Sequence, residues 1–177
     1  MHTFGDIAIF AASYELNQDY GGSWLFGKFC YWIGGELVGD YKLGTPLRDV
    51  LTVLGSVVRD NGNRENPSLF KLTAEDLYRR LDSALYGENF EYESLAQEEC
   101  WARFKVHLSV DIFDHWKVYL IDSPPEARII YSFFGGSVVE SNLPAGTFDQ
   151  AITDVFNALF DIYEVEMAKE SASQANF

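Results

Sequence analysis

Residues 21–45, GGSWLFGKFCYWIGGELVGDYKLGT, hold two Trp, two Phe and two Tyr but only two acids and two bases. Apolar runs on either side of Gly34-Gly35, SWLFGKFCYWI and ELVGDYKL, are the signal of a β-hairpin. In the first run, alternation puts Trp24, Phe26, Lys28, Cys30 and Trp32 on one face. Leu25, Gly27, Phe29, Tyr31 and Ile33 line the other. Both faces are largely apolar, so the strand is covered on both sides, by helices on one and by something else on the other. The simpler account makes it a central strand with both faces internal; the other leaves part of one face for a partner. A glycine inside a strand, here Gly27, marks a bulge or a close approach of another backbone.

Outward from the hairpin, FGDIAIFAASYEL (4–16) reads as a strand and NQDYGG as a loop. On the other side the period changes. In TPLRDVLTVLGSVVRDNG, Thr45 stands as a cap, Pro46 at the first helical position and Asp49 in the first turn. Leu47, Val50, Leu51, Leu54, Val57 and Val58 recur at helical spacing until Gly62 stops them. TAEDLYRRLDSALYG gives a second helix, with Thr73 and Asp76 spaced as a capping box, a Leu77, Leu81, Leu85 stripe, and Gly87 at its end.

Beyond an acidic linker (88–99) come three strand-like runs, CWARFKVHLSVDIF, HWKVYLID and ARIIYSFF, the last two separated by Pro124-Pro125. GGSVVESNLPAG then leads into TFDQAITDVFNALFDIYEVEMAK. There Thr147 and Gln150 form another capping box, and Phe148, Ala151, Ile152, Val155, Phe156, Leu159, Phe160 and Tyr163 supply a wide apolar face. The order βββ-αα-βββ-α predicts an α+β fold with a mainly antiparallel sheet and helices packed on it. A single domain over 1–170 with a flexible tail over 171–177 is the expected organisation.

The net charge of −14 is lopsided. Residues 1–87 hold eleven acids and eight bases, residues 88–177 sixteen acids and five bases. Such a balance argues against nucleic-acid binding, which needs a basic footprint, and suits capture of a basic protein. Plain solubility accounts for the sign but not for the asymmetry. Cys30 and Cys100 both fall in apolar runs and read as buried thiols of a reducing compartment. MHTFGDIAIF lacks the basic start and cleavage site of a signal peptide, and no apolar stretch reaches the roughly 18–20 residues of a membrane span. The expectation is a cytoplasmic protein with no membrane association.

Catalytic signals are weak. His107, Asp111 and His115 would make a metal site at i, i+4, i+8 on a helix, but their surroundings read as strand and turn. In RDNGNREN an EF-hand counted from Asp60 would put Lys71 where Glu is required. Asp60, Gly62, Asn63 and Arg64 therefore read as a structural turn closing the first long helix, with Asn63 and Arg64 tying it to a neighbour. There is no phosphate loop, no Gly-x-Ser-x-Gly and no local His partner for either cysteine. No catalytic, metal or cofactor-binding residue is assigned.

FGKFCYWIGGELVGDYKLGTPLRDVL, followed by VVRDNGNR, resembles the immunity protein family numbered 42 of bacterial polymorphic toxin systems. The resemblance is carried by Phe26 through Trp32, Gly39 to Tyr41, Leu43 to Thr45 and Asp60 to Arg64. It runs from about Phe4 to the last helix, weakest over 88–115, and includes no catalytic motif. It implies a cytoplasmic, non-enzymatic antitoxin, monomeric or homodimeric, that binds and blocks a cognate toxin domain, often a nuclease or other enzyme. Such an inhibitor needs a rigid scaffold, aromatic anchors and a field opposite to its target's. Candidate contacts are Glu88, Glu91, Glu93, Glu98 and Glu99 in the linker, Asp154, Asp161 and Glu164 on the last helix, and Trp24, Trp32 and Tyr41. Two other classes stay open. A homodimeric scaffold would bury an apolar strand across a two-fold axis, and a small hydrolytic enzyme would show a deep polar pocket with carboxylates or a perturbed histidine.

Overall fold

The computed structural model of the chain describes residues 1–87 and 92–174. In chain order the elements are β1 (His2–Asp6), β2 (Phe10–Leu16), β3 (Phe26–Ile33), β4 (Glu36–Val38), β5 (Thr45–Pro46) and α1 (Leu47–Arg59). Then come α2 (Pro67–Phe70), α3 (Ala74–Tyr86), α4 (Glu93–Glu98), β6 (Trp116–Ser123), β7 (Glu126–Phe133), β8 (Val139–Pro144) and α5 (Thr147–Gln174). Short 3-10 turns occupy Gly22–Trp24, Trp101–Phe104 and Asp111–Phe113. The fold is α+β, and the named strands pair antiparallel in two sheets. Backbone contacts group the chain into two compact units.

The first unit comprises Met1–Arg59, Leu108–Asp114 and the last helix. Its sheet runs β1-β2-β3-β4, with β5 also paired to β3. The stretch read as one strand over 4–16 is a hairpin. Asp6 breaks it, its backbone oxygen accepting from Ile9 at 3.0 Å and its carboxylate from Ala8 at 2.9 Å. Register pairs Phe10 with Ile33 and Tyr14 with Phe29. The face carrying Phe10, Phe29 and Tyr31 packs on Phe148 of α5 and on Phe113, with Phe10 and Phe148 ring centroids 4.7 Å apart.

Gly27 is a point of close approach: a Cβ there would lie 2.3 Å from the Glu15 carbonyl oxygen and 2.9 Å from Leu47 Cδ1. Thr45 and Pro46 extend as a strand beside β3, so α1 begins at Leu47, whose N–H donates to Leu25 O at 3.0 Å. One face of α1 buries Leu47, Val50, Leu51, Leu54 and Val57. The helix α5 continues through Gln174, past the limit its apolar pattern suggested.

The second unit comprises Asp60–His107 and His115–Gly146, with a sheet in the order β6-β7-β8. CWARFKVHLSVDIF is not a strand. Cys100 adopts left-handed backbone (φ 53) and starts a 3-10 turn, and the backbone of the segment pairs with the sheet through an isolated Lys105–Tyr119 bridge rather than a strand. The alternation of apolar residues there reflects side chains buried one by one, among them Trp101, Phe104 and Val106. The third strand is instead β8, which leaves most of its side chains exposed and buries Leu143. It lies at the sheet edge and so lacks the two-sided apolar signature.

The core of this unit joins Leu77 and Leu81 of α3, Ala96 of α4, Trp101 and Phe104 to Tyr119, Ile121 and Ile130 of the sheet. Thr73 caps α3, its hydroxyl accepting from the Asp76 N–H at 3.2 Å. The cysteines differ from expectation. Cys30 is buried, and burial pushes its thiol up to about 12, but Cys100 is exposed because the left-handed turn lifts it off the core.

Candidate partner-binding surfaces

At one end of the first unit the chain enters β3 through the 3-10 turn Gly22–Trp24 and a left-handed Leu25 (φ 53). The turn, rather than strand alternation, brings Trp24 beside Phe26: their rings are parallel within 3° at 6.0 Å. Both are exposed, at 46% and 41%. The Arg48 guanidinium lies 3.6 Å above the Trp24 ring, and its Nε donates to Asp49 at 3.3 Å. Cation, indole and phenyl ring form one outward-facing plate.

Trp32 and Tyr41 lie elsewhere, over the sheet face that carries Ser13 and Cys30. Trp32 Nε1 donates to Ser13 Oγ at 3.0 Å, and the Tyr41 hydroxyl donates to Glu15 at 3.1 Å beneath Lys28, whose Nζ is 5.5 Å from the ring. Burial, with help from Glu15, pushes the Tyr41 hydroxyl up to about 12. Both rings have their polar tips satisfied inside the sheet, so they act first as its cover.

The carboxylates divide. Glu88 and Glu91 lie outside the described residues. Glu93 accepts from Gln97 at 3.1 Å across one turn of α4, and Glu98 is exposed. Glu99 is a brace: it accepts from Trp101 Nε1 at 2.8 Å and from Asn66 at 3.1 Å. On α5, Asp154, Asp161 and Glu164 fall along one stripe, with Asp161 and Glu164 exposed and Asp154 accepting from Gln150 at 2.9 Å. Phe160, Val165 and Met167 are exposed on the same helix.

The turn motif is built into the second unit. Gly62 takes φ +71, the Asn63 N–H donates to Asp60 O at 3.1 Å, and Arg64 is fully buried. Arg64 donates to the Arg103 carbonyl at 2.9 Å and to Asn61 at 3.3 Å. His107 is buried too, with Val118 N–H donating to Nδ1 at 3.0 Å and Tyr86 hydrogen-bonded to Nε2 at 3.1 Å. His115 stacks on Phe134 at 3.8 Å. Among the described residues no three His, Cys, Asp or Glu side chains gather as a metal ion would require.

Three features escaped sequence reasoning. Phe133 and Phe134 are exposed, Phe134 in left-handed backbone (φ 52). Glu166 is buried on α5; the Lys169 ammonium and the Tyr20 hydroxyl hold its carboxyl below the usual range. A cavity of about 330 Å³ lies beside the start of α1, lined by Thr45, Pro46, Asp49, Val53, Val110 and Asp111 among others. No local pattern links residues 45–53 with 109–111; only the folded chain does.

Exposed aromatic and acidic surfaces are features that binding proteins share. The family model for immunity protein 42 matches residues 1–158, and the chain belongs to that family. The family assignment implies a non-enzymatic role, that of an immunity protein against a cognate toxin. The fold is similar to that in the crystal structure of CdiI from Burkholderia dolosa AUO158, with a TM-score of 0.70, 21% identity, and 89% of this chain and 99% of that one covered. No curated protein matches the chain. Among the described residues no helix is long and apolar enough to cross a membrane.

Proposed function

We propose that the protein acts in the bacterial cytoplasm as a stoichiometric antitoxin that docks a basic, nuclease-type toxin through acidic surface and blocks it by bulk and charge. The observation that carries the reading is the stripe Asp154, Asp161 and Glu164 beside exposed Phe160 on α5, in a chain of the immunity protein 42 family. Carboxylates around an exposed aromatic ring offer steering and a desolvated anchor together. Association needs no turnover and no cofactor.

Co-expression tests it. Cells producing the toxin encoded next to this gene grow when this protein is present, and the two purify as a complex. Continued killing at equal expression, with no complex on a sizing column, rejects the reading.

A further inference from the structure

We infer that the cavity beside the start of α1 is the receptacle for a lysine or arginine side chain of the toxin. This rests on the antitoxin reading and names a docking point that the acidic stripe of α5 does not include. Sequence patterning makes Thr45 the cap of α1, yet the chain holds Thr45 and Pro46 in a strand and starts the helix at Leu47. The Thr45 hydroxyl is left over. The residue is 5% exposed and lines the cavity, and among the described residues its hydroxyl makes no hydrogen bond. It is not a sealed, unsatisfied atom either, so it opens onto the cavity.

Two carboxylates share the lining. Asp49 also holds Arg48 at 3.3 Å, whereas Asp111 has no ion-pair partner among the described residues. Acceptors predominate among these groups, which is complementary to a donor-only cation. The first turn of a helix disfavours positive charge, and Asp49 in that turn offsets the effect. Pro46, Val53 and Val110 provide apolar wall for the methylene stem of such a side chain. The volume of about 330 Å³ far exceeds a bare ion, and among the described residues no third carboxylate or histidine joins the two as a metal set would. Pro46 is also the cross-strand neighbour of Phe26, and Asp49 accepts from Arg48, the cation over Trp24, so the cavity opens next to the Trp24 plate. A toxin segment seated there places its cation in the cavity and an apolar neighbour on Trp24.

The test measures affinity for the adjacent-gene toxin in three variants whose folding is checked by thermal melting. Asp111→Asn with Asp49→Asn removes the charge, Thr45→Val removes the idle hydroxyl, and Thr52→Trp fills the cavity at an exposed lining position. Thr45→Val leaves the melting temperature unchanged or higher, because the hydroxyl has no partner to lose. The charge and filling variants bind about tenfold more weakly or worse, and the charge variant shows a shallower salt dependence. Wild-type affinity in all three, from a protein that still neutralises the toxin, overturns the receptacle while leaving the antitoxin reading intact. A wild type that binds no toxin overturns both. Agmatine is the free-cation control: micromolar binding to the cavity without displacement of toxin overturns the assignment to a toxin side chain.

Discussion

The Tyr20 hydroxyl donates to Glu166 across 3.0 Å, although the two residues are 146 positions apart. The same stretch of α5 reaches the next turn: Glu170 accepts from the Ser23 N–H at 2.9 Å, which lowers its carboxyl pKa. The loop that presents Trp24 is thus held by two carboxylates of the last helix. Tyr20→Phe is expected to lower the urea midpoint slightly and to raise hydrogen exchange over 20–24, with Lys169 still paired to Glu166 at 2.6 Å. Unchanged exchange in that loop would show that Glu170 alone fixes it.

Gly27→Ala is the sharpest test of the sheet. The added methyl meets a backbone oxygen at 2.3 Å as well as the flexible Leu47 side chain, so relaxation has to move β2 or β3. The expected cost is about 2 kcal/mol or more, read by chemical denaturation. A neutral result would mean that the strands part there without penalty.

Arg64→Met keeps the apolar stem and removes the donors. It leaves the Arg103 carbonyl, to which Arg64 donates at 2.9 Å, without that bond in a site with no solvent exposure. A loss of about 3 kcal/mol in unfolding free energy follows from one buried unsatisfied acceptor plus the packing defect. A loss below about 0.5 kcal/mol would contradict the assignment of Asp60–Arg64 as structural.

Much of this architecture was legible from local chemistry. The hairpin around Gly34-Gly35, the helix from Leu47, the Thr73 cap and the apolar face of α5 each rest on contacts within a few residues, which periodicity reports directly. What periodicity misread depends on burial without regular structure. Residues 101–113 bury Trp101, Phe104, Val106, Leu108, Ile112 and Phe113, and this mimics a strand. The strand β8 buries little, so it reads as loop. The candidate site divides in the same way. Exposure of Asp161 and Glu164 follows from helical spacing, but the cavity at Thr45 depends on where residues 109–111 return.

Charge reversal on α5 addresses docking. Asp161→Lys with Glu164→Lys changes two exposed positions and is expected to leave melting unchanged. Association with a basic toxin should slow about tenfold at low salt, and the difference should shrink as salt rises. Equal on-rates at low salt would place the steering field elsewhere on the molecule.

Acid lability has an identifiable source in His107. Burial pulls its pKa down from 6.5 to about 4; the Val118 backbone hydrogen bond and Asp82 oppose, and the Lys105 and Lys117 charges assist. The ring is therefore neutral in the native state at neutral pH, with Nδ1 3.0 Å from the Val118 backbone nitrogen and Nε2 hydrogen-bonded to the Tyr86 hydroxyl at 3.1 Å. Between pH 6.5 and about 4 the unfolded chain binds a proton that the native one refuses. Stability tied to this group is fully present above pH 6.5 and is lost as pH falls toward 4, by on the order of 3 kcal/mol. His107→Gln has no such titration. Urea midpoints measured from pH 7.5 to 4.5 should fall more steeply for the wild type than for the variant, and the gap between them should narrow on acidification. Parallel curves would mean that His107 protonates inside the fold as readily as in water, and that the hydrogen bonds to Val118 and Tyr86 impose no protonation state on it.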